Sequence, residues 1–172
     1  FLGGPSDLEM LEAVSQIVGA DGPMCLRAET AWAEGRGEAL TPETRLPALP
    51  AVLFNPMTPS PTGAVYRAYD AGPVQTAERP ADPKDWSVGA VIDWLADQRN
   101  DLEAPAIGLE PAIGVALDQM RSAPCVKHAR MSGSGAPIFG LFHTMAAAEA
   151  AAAWLCEASP QAWVKSAWLG RQ

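Results

Sequence analysis

The stretch that decides the fold reads RMSGSGAPIFGLF and covers residues 130–142. Ser and Gly alternate at 132–135, between one predicted strand at 126–130 and a second at 137–142. A hairpin turn needs only one or two such residues, whereas four leave a backbone whose N–H groups are free to face an anion. The stretch therefore fits both a flexible hairpin turn and a loop that cradles a ligand.

The segments around this loop alternate between strands and helices. Helices are predicted after the N-caps Ser87 and Thr144, from Thr62, which is a candidate N-cap, to Tyr69, and from about residue 108 or 110 to 121. The predicted strands lie at 51–54, 126–130, 137–142 and 162–168. From residue 51 onward the order strand, helices, strand, strand, helix, strand indicates an α+β fold of the ferredoxin-like, split βαβ type, in which helices cover one face of an antiparallel four-stranded sheet.

The N-terminal part has its own pattern. Apolar residues at helical spacing predict a helix over 8–18, and Met24, Cys25 and Leu26 are interpreted as a short strand. A hairpin is predicted over 30–40, with its turn at 35–37.

Composition limits the classes of function. The chain has 172 residues, which is one domain or a domain with a stub, and 48% hydrophobic residues are enough to form a core. Its net charge of −8 argues against nucleic acid as a partner, because binding to phosphate backbones requires a basic face. No apolar run is long enough to span a membrane, so a membrane partner is not expected.

The cysteines do not predict a metal site. There are three, at scattered positions, with no CxxC pair and no histidine at zinc-ligand spacing. We interpret them as reduced, mostly packed thiols of a cytoplasmic protein.

Five segments, in the same order along the chain, resemble those of the 4-diphosphocytidyl-2-C-methyl-D-erythritol kinases of the GHMP kinase superfamily, mainly in their C-terminal domain. They are 19–23 (GADGP), 35–38 (GRGE), 53–56 (LFNP) with 60–62 (SPT), 100–103 (NDLE) and 131–136 (MSGSGA). The resemblance implies that ATP and Mg²⁺ are used to phosphorylate the 2-hydroxyl of a small molecule, a cytidine-diphosphate-linked methylerythritol, in the non-mevalonate route to isoprenoid precursors. It also implies that residues 1–50 are a remnant of the N-terminal, ATP-binding domain and that 51–172 are the GHMP kinase C-terminal domain.

The resemblance also implies roles for individual residues. Asp21 matches the catalytic aspartate, although an Asp in this context is also a common turn residue. The substrate-binding residues that it implies are Thr62 and Tyr66 for the cytidine and the turn formed by Gly133, Ser134 and Gly135. The residues implied for the ATP phosphates are Gly3, Gly4 and Ser6. No metal ligand is implied, and Asn100 with Asp101 is interpreted as an N-cap pair for the segment that follows.

Two prolines depart from the family pattern. Pro5 removes an N–H from the phosphate loop, and Pro137 stands where many relatives have a small hydroxylated residue. The lysine-bearing strand of the family has no counterpart. We therefore expect that the sequence is only part of a full kinase. A non-catalytic small-ligand module or truncated relative, and another GHMP kinase such as a homoserine or mevalonate kinase, remain open as alternatives.

Overall fold

The computed structural model describes residues 10, 11, 13–15, 17, 19, 22–35, 37, 39–73 and 78–170. The chain divides into two compact units, one up to Pro47 together with Gly170 and one from Ala48 to Leu169. The assignment of 1–50 and 51–172 to two kinase domains stays a prediction.

The first unit contains helical and hairpin structure. Its described residues at 10, 11, 13–15 and 17 are helical, in agreement with the apolar spacing. Strands β1 (Ala31–Glu34) and β2 (Ala39–Pro42) pair antiparallel across a turn in which Gly35 and Gly37 have φ values of 68° and 107°. The predicted hairpin is confirmed.

The strand predicted at 24–26 is wrong, because these residues lie in helix α1 (Gly22–Arg27). Three apolar residues are too few to distinguish helical from strand periodicity. The better signal lies just before them. Pro23 fits the first turn of a helix, where no N–H is required, and Gly22 allows a close approach, since a Cβ there would collide with the carbonyl oxygen of Ser15.

A buried carboxylate, Glu43, follows the hairpin. It is 8% exposed and accepts hydrogen bonds from the Trp32 indole N–H at 3.2 Å and from Arg45, through the backbone N at 3.0 Å, Nε at 2.8 Å and Nη2 at 2.7 Å. Such bonds favour the charged form of a carboxyl group. Those from the Arg45 side chain have the largest effect, and together with the others they lower the pKa of Glu43 to about 2.

The second unit is built on a four-stranded antiparallel sheet. Its strands are β3 (Leu49–Asn55), β4 (His128–Met131), β5 (Ile138–Leu141) and β6 (Trp163–Leu169), and their order across the sheet is β4-β5-β3-β6. The first strand in sequence therefore lies between the third and the fourth, as in the split βαβ arrangement. The predicted α+β fold is confirmed.

Five helices of the second unit are described: α2 (Thr62–Asp70), α3 (Val88–Ala96), α4 (Glu103–Leu109), α5 (Pro111–Arg121) and α6 (Met145–Ala158). The predicted caps of α3 and α6 are confirmed, since Ser87 Oγ accepts from Ala90 N at 3.4 Å and Thr144 Oγ1 accepts from Ala147 N at 3.2 Å. Helix α5 begins at Pro111, and residue 108 belongs to α4 instead.

Helices α5 and α6 cover one face of the sheet. Val52, Phe54 and Ile138 lie on this face and belong to a core cluster with fully buried residues of the two helices, among them Leu117, Met120, Ala148, Ala151 and Leu155. Burial of each large side chain is worth roughly 1.5–3 kcal/mol. The helices come close to the sheet at Gly140, where a Cβ would lie 2.5 Å from Met120 Sδ.

Two further observations concern the whole of the described chain. None of its helices combines the length and apolarity that a membrane crossing requires. All three cysteines are free thiols and exposed, so the expectation that they are mostly packed is wrong.

Candidate functional site

The Ser/Gly loop joins β4 to β5 as a tight connection. Ser132 N donates to Pro137 O at 2.9 Å, and Gly135 N donates to Ser132 O at 3.0 Å. Gly133 and Gly135 have φ values of 55° and 88°, a region that side chains disfavour and glycine adopts readily. The loop is therefore a hairpin connection whose path depends on its two glycines.

Two hydroxyl groups contact this connection. One belongs to Ser60, in the loop before α2, and the other to Thr62, the first residue of α2. Ser60 Oγ donates to Ser134 O at 2.7 Å, and Thr62 Oγ1 lies 3.0 Å from Ser134 Oγ in a hydrogen bond in which either oxygen can be the donor. The structure thus brings together two of the predicted substrate-binding residues, Thr62 and Ser134, which are 72 positions apart in sequence.

Thr62 begins α2 differently from the expected cap. The N-cap is Pro61, no side chain caps the helix, and the Thr62 hydroxyl is directed to Ser134 instead. Tyr66 follows one helical turn later, so its side chain extends from the same face of α2 as that of Thr62. The residue is 50% exposed, so part of its surface is open to contact.

The segment at 100–103 also holds the loop. Asn100 Nδ2 donates to Met131 O at 3.0 Å and to Gly133 O at 2.8 Å, while its Oδ1 accepts from Leu102 N at 3.1 Å. Glu103 Oε2 accepts from Met131 N at 3.1 Å. The predicted N-cap pair is wrong, because the N-cap of α4 is Leu102 and Asp101 forms an ion pair with Arg99 at 2.7 Å.

The remaining predicted site residues lie outside the described residues. These are the catalytic Asp21 and the phosphate-loop residues Gly3, Gly4 and Ser6. Their roles, like those of Thr62, Tyr66, Gly133, Ser134 and Gly135, stay predictions.

Beside the loop, β4 carries two basic side chains, those of Arg130 and His128. The Arg130 guanidinium lies 5.5 Å from the centroid of the Phe139 ring, and the His128 ring meets Phe139 edge-on at 6.0 Å. Within the described part of the chain, Arg130 Nη1 and His128 Nε2 are buried without a hydrogen-bond partner. Burial lowers the pKa of His128, the charges of Arg130 and Arg121 lower it further, and Glu103 opposes them.

The described residues form no group of three or more His, Cys, Asp or Glu side chains that could hold a metal ion. Two surface cavities, of about 340 and 390 Å³, open in the second unit. Neither of these two cavities is lined by Thr62, Tyr66 or the Ser/Gly loop.

Sequence reasoning missed three residues that shape this surface: Ser60, Asn100 in its contacts with the loop, and Glu103. Their partners lie 74, 31 to 33 and 28 positions away, so no local pattern could reveal the bonds. The one available signal was that segments 60–62 and 100–103 both resemble family motifs.

Comparison with protein families and curated proteins gives matches along most of the chain. Residues 87–161 match the family described as GHMP kinases C terminal. A protein of Caulobacter sp. (strain K31) named 4-diphosphocytidyl-2-C-methyl-D-erythritol kinase is 50% identical over 163 residues, which are 93% of this chain and 56% of that protein. A protein of the same name from Caulobacter vibrioides (strain NA1000 / CB15N) is 52% identical over 158 residues, 90% of this chain and 54% of that protein.

A solved structure is also similar. The crystal structure of a 4-(cytidine 5'-diphospho)-2C-methyl-D-erythritol kinase matches with a TM-score of 0.68 and 33% sequence identity, over 96% of this chain and 63% of that chain. The present chain spans about half the length of the curated relatives it matches.

Proposed function

We propose that the chain is the substrate-binding part of a 4-diphosphocytidyl-2-C-methyl-D-erythritol kinase, because residues 87–161 match the GHMP kinases C terminal family and the similar proteins and solved structure carry that name. The complete enzyme transfers a phosphoryl group from ATP to the 2-hydroxyl of that substrate, in the cytoplasm, as a step of the non-mevalonate route to isoprenoid precursors. The observation that carries the proposal is the hydrogen bond between Thr62 and Ser134, which joins the two predicted substrate-binding segments on one surface.

Each residue of this surface has a distinct task in the proposed complex. The ring of Tyr66, a half-exposed residue, stacks on the cytosine, a contact worth about 1–3 kcal/mol per base. The hydroxyls of Thr62 and Ser134 bind polar groups of the substrate. Gly133 leaves its side of the backbone open, since a Cβ there would meet no atom within 4 Å, so that the substrate can approach its peptide groups. Gly135 allows the loop to pack closely against Met131 and thereby holds the loop in place for the substrate.

Asp21 accepts or orients the proton of the attacking hydroxyl, and Gly3, Gly4 and Ser6 contact the ATP phosphates. The described residues do not fit a Mg²⁺ site made of protein side chains alone, since they contain no cluster of three suitable ligands. In phosphoryl-transfer enzymes Mg²⁺ is usually bound through one or two carboxylates together with substrate phosphates and water. The phosphates of ATP supply part of its ligands in the proposed complex.

The decisive experiment is a kinase assay of the complete gene product. It should phosphorylate 4-diphosphocytidyl-2-C-methyl-D-erythritol in preference to homoserine and mevalonate, and preference for a non-nucleotide alcohol would refute the cytidine assignment. Asp21→Asn should abolish turnover while the circular dichroism spectrum stays unchanged. Asp97→Asn, at an exposed position that follows α3, is the control for loss of one carboxylate.

The cytidine contact is tested separately at Tyr66. Loss of about 1–3 kcal/mol of stacking corresponds to a rise in KM for the diphosphocytidyl substrate of roughly 5- to 150-fold in Tyr66→Ala. Tyr66→Phe keeps the ring and should remain close to wild type. Equal KM values for Tyr66→Ala and wild type would remove the residue from the proposed pocket.

A further inference from the structure

The segment Asn100, Asp101, Leu102, Glu103 resembles a family motif, but the proposed function gives it no role. We propose that Asn100 is a positioning residue, which fixes the orientation of the Ser/Gly loop and thereby the affinity for the diphosphocytidyl substrate. This inference rests on the proposed function, since it assigns the loop to substrate binding.

The Asn100 amide is matched to its three partners. Its NH₂ group donates to Met131 O and Gly133 O at 3.0 and 2.8 Å, and its oxygen accepts from Leu102 N at 3.1 Å. An amide has both donors and an acceptor on a single planar group, whereas a carboxylate of the same shape only accepts. Aspartate at this position would place negative oxygen against two carbonyl oxygens.

These bonds determine where the loop directs its N–H groups. In a trans peptide, the C=O and N–H groups point in opposite directions. Because Asn100 binds the C=O of Gly133, the N–H of Ser134 is directed away from Asn100. Ser60 acts in the same way on the next peptide, where it binds Ser134 O at 2.7 Å and Gly135 N turns back to Ser132 O.

The strand that leads into the loop is held by the same segment. Met131 has its C=O bound by Asn100 and its N–H bound by Glu103 Oε2 at 3.1 Å. Arg121 Nη2 lies 3.4 Å from the other oxygen of Glu103, which keeps that carboxylate in place. Both backbone polar groups of the last β4 residue are thus fixed from the 100–103 segment, so the loop starts from a defined position.

The test compares Asn100→Asp with Gln98→Glu in the complete enzyme. Gln98 Nε2 donates to Trp94 O at 2.8 Å, so this control loses an amide donor two residues away without touching the loop. A misplacement of about 1 Å in a site can reduce the rate by about 10²-fold. We expect kcat/KM to fall by about 10- to 100-fold in Asn100→Asp, through a higher KM for the diphosphocytidyl substrate, with KM for ATP within about twofold of wild type. Gln98→Glu should stay within about twofold of wild type for both substrates.

The split between the two KM values separates positioning from general damage, which would lower kcat through the active fraction and leave both KM values unchanged. Wild-type KM values in Asn100→Asp, or an equal rise in both, would overturn the inference. If Asn100→Asp does not fold, Asn100→Ala, which removes the bonds without adding charge, is judged by the same criterion. A wild-type enzyme that does not phosphorylate the substrate would refute the proposed function itself, and an active wild type with an unaffected Asn100→Asp would refute this inference alone.

Discussion

Substitution of the two loop glycines by alanine should have unequal effects on stability. Gly133 has a φ of 55°, and a Cβ added there would meet no atom within 4 Å. Gly133→Ala therefore has only the cost of a left-handed backbone, about 1–2 kcal/mol. Part of this cost is offset by about 0.4–1 kcal/mol, because the unfolded chain becomes less flexible. At Gly135 the φ is 88°, and a Cβ would lie 2.9 Å from Met131 Sδ and 3.2 Å from both Ile113 Cδ1 and Ser60 Oγ. Overpacking of this kind typically costs about 1–3 kcal/mol in addition to the backbone penalty.

We therefore expect Gly135→Ala to lower the free energy of unfolding by about 2 kcal/mol more than Gly133→Ala. Urea unfolding of both variants and wild type, followed by far-UV circular dichroism and compared by linear extrapolation, measures this difference. Equal losses within about 0.5 kcal/mol, the spread of neutral surface substitutions, would refute the packing argument. So would a larger loss in Gly133→Ala.

Three other predictions concern pH and helix capping. The pKa of His128 in the folded state is lowered below its usual 6.5. As the pH drops below about 6.5 the unfolded chain takes up a proton more readily than the folded one, so the free energy of unfolding should fall. In thermal melts from pH 8 to 5, His128→Gln should lose this part of the pH dependence. Glu43 has a pKa of about 2 in the folded state, against an ordinary value of 4.5, so its stabilisation of the fold is present above pH 4.5 and is lost as the pH falls through 2. Glu43→Gln should therefore be less stable than wild type at pH 7. The difference in unfolding free energy between the two, followed by tryptophan fluorescence, should become smaller in acid. Thr144→Ala removes the cap bond to Ala147 N and should cost about 1 kcal/mol in urea unfolding, whereas Thr144→Ser should retain most of it.

Features that depend on neighbouring residues could be predicted from the sequence. Ser87 and Thr144 cap helices by bonds to an amide three residues ahead, so the residue type and the apolar pattern that follows are sufficient. The sheet topology followed from the order of strands and helices, because few arrangements bury one face of a four-stranded sheet.

Features set by distant contacts could not be predicted. The Thr62 hydroxyl resembles a cap in sequence, but Ser134 competes for it in the folded chain. Asn100 likewise has the residue type of a cap, yet its amide binds carbonyls 31 and 33 positions away. The helix at 22–27 begins at Gly22, which lies close to the backbone of Ser15, and no apolar pattern predicts this contact. The Ser/Gly run marked the loop as one that could cradle a ligand, but only the resemblance to a family marked Thr62 and Tyr66, because surface residues around a loop leave no periodic signal.

The register between β3 and β6 has a consequence for the architecture of the second unit. Leu49 lies next to Ala48, the first residue of the unit, and pairs directly with Leu169, the last residue of the unit. The two ends of this unit therefore lie at adjacent points at the end of the β3–β6 ladder. A short peptide joining the two ends would close the unit into a ring, and new termini could then be opened in an exposed connection without disturbing any ladder of the sheet.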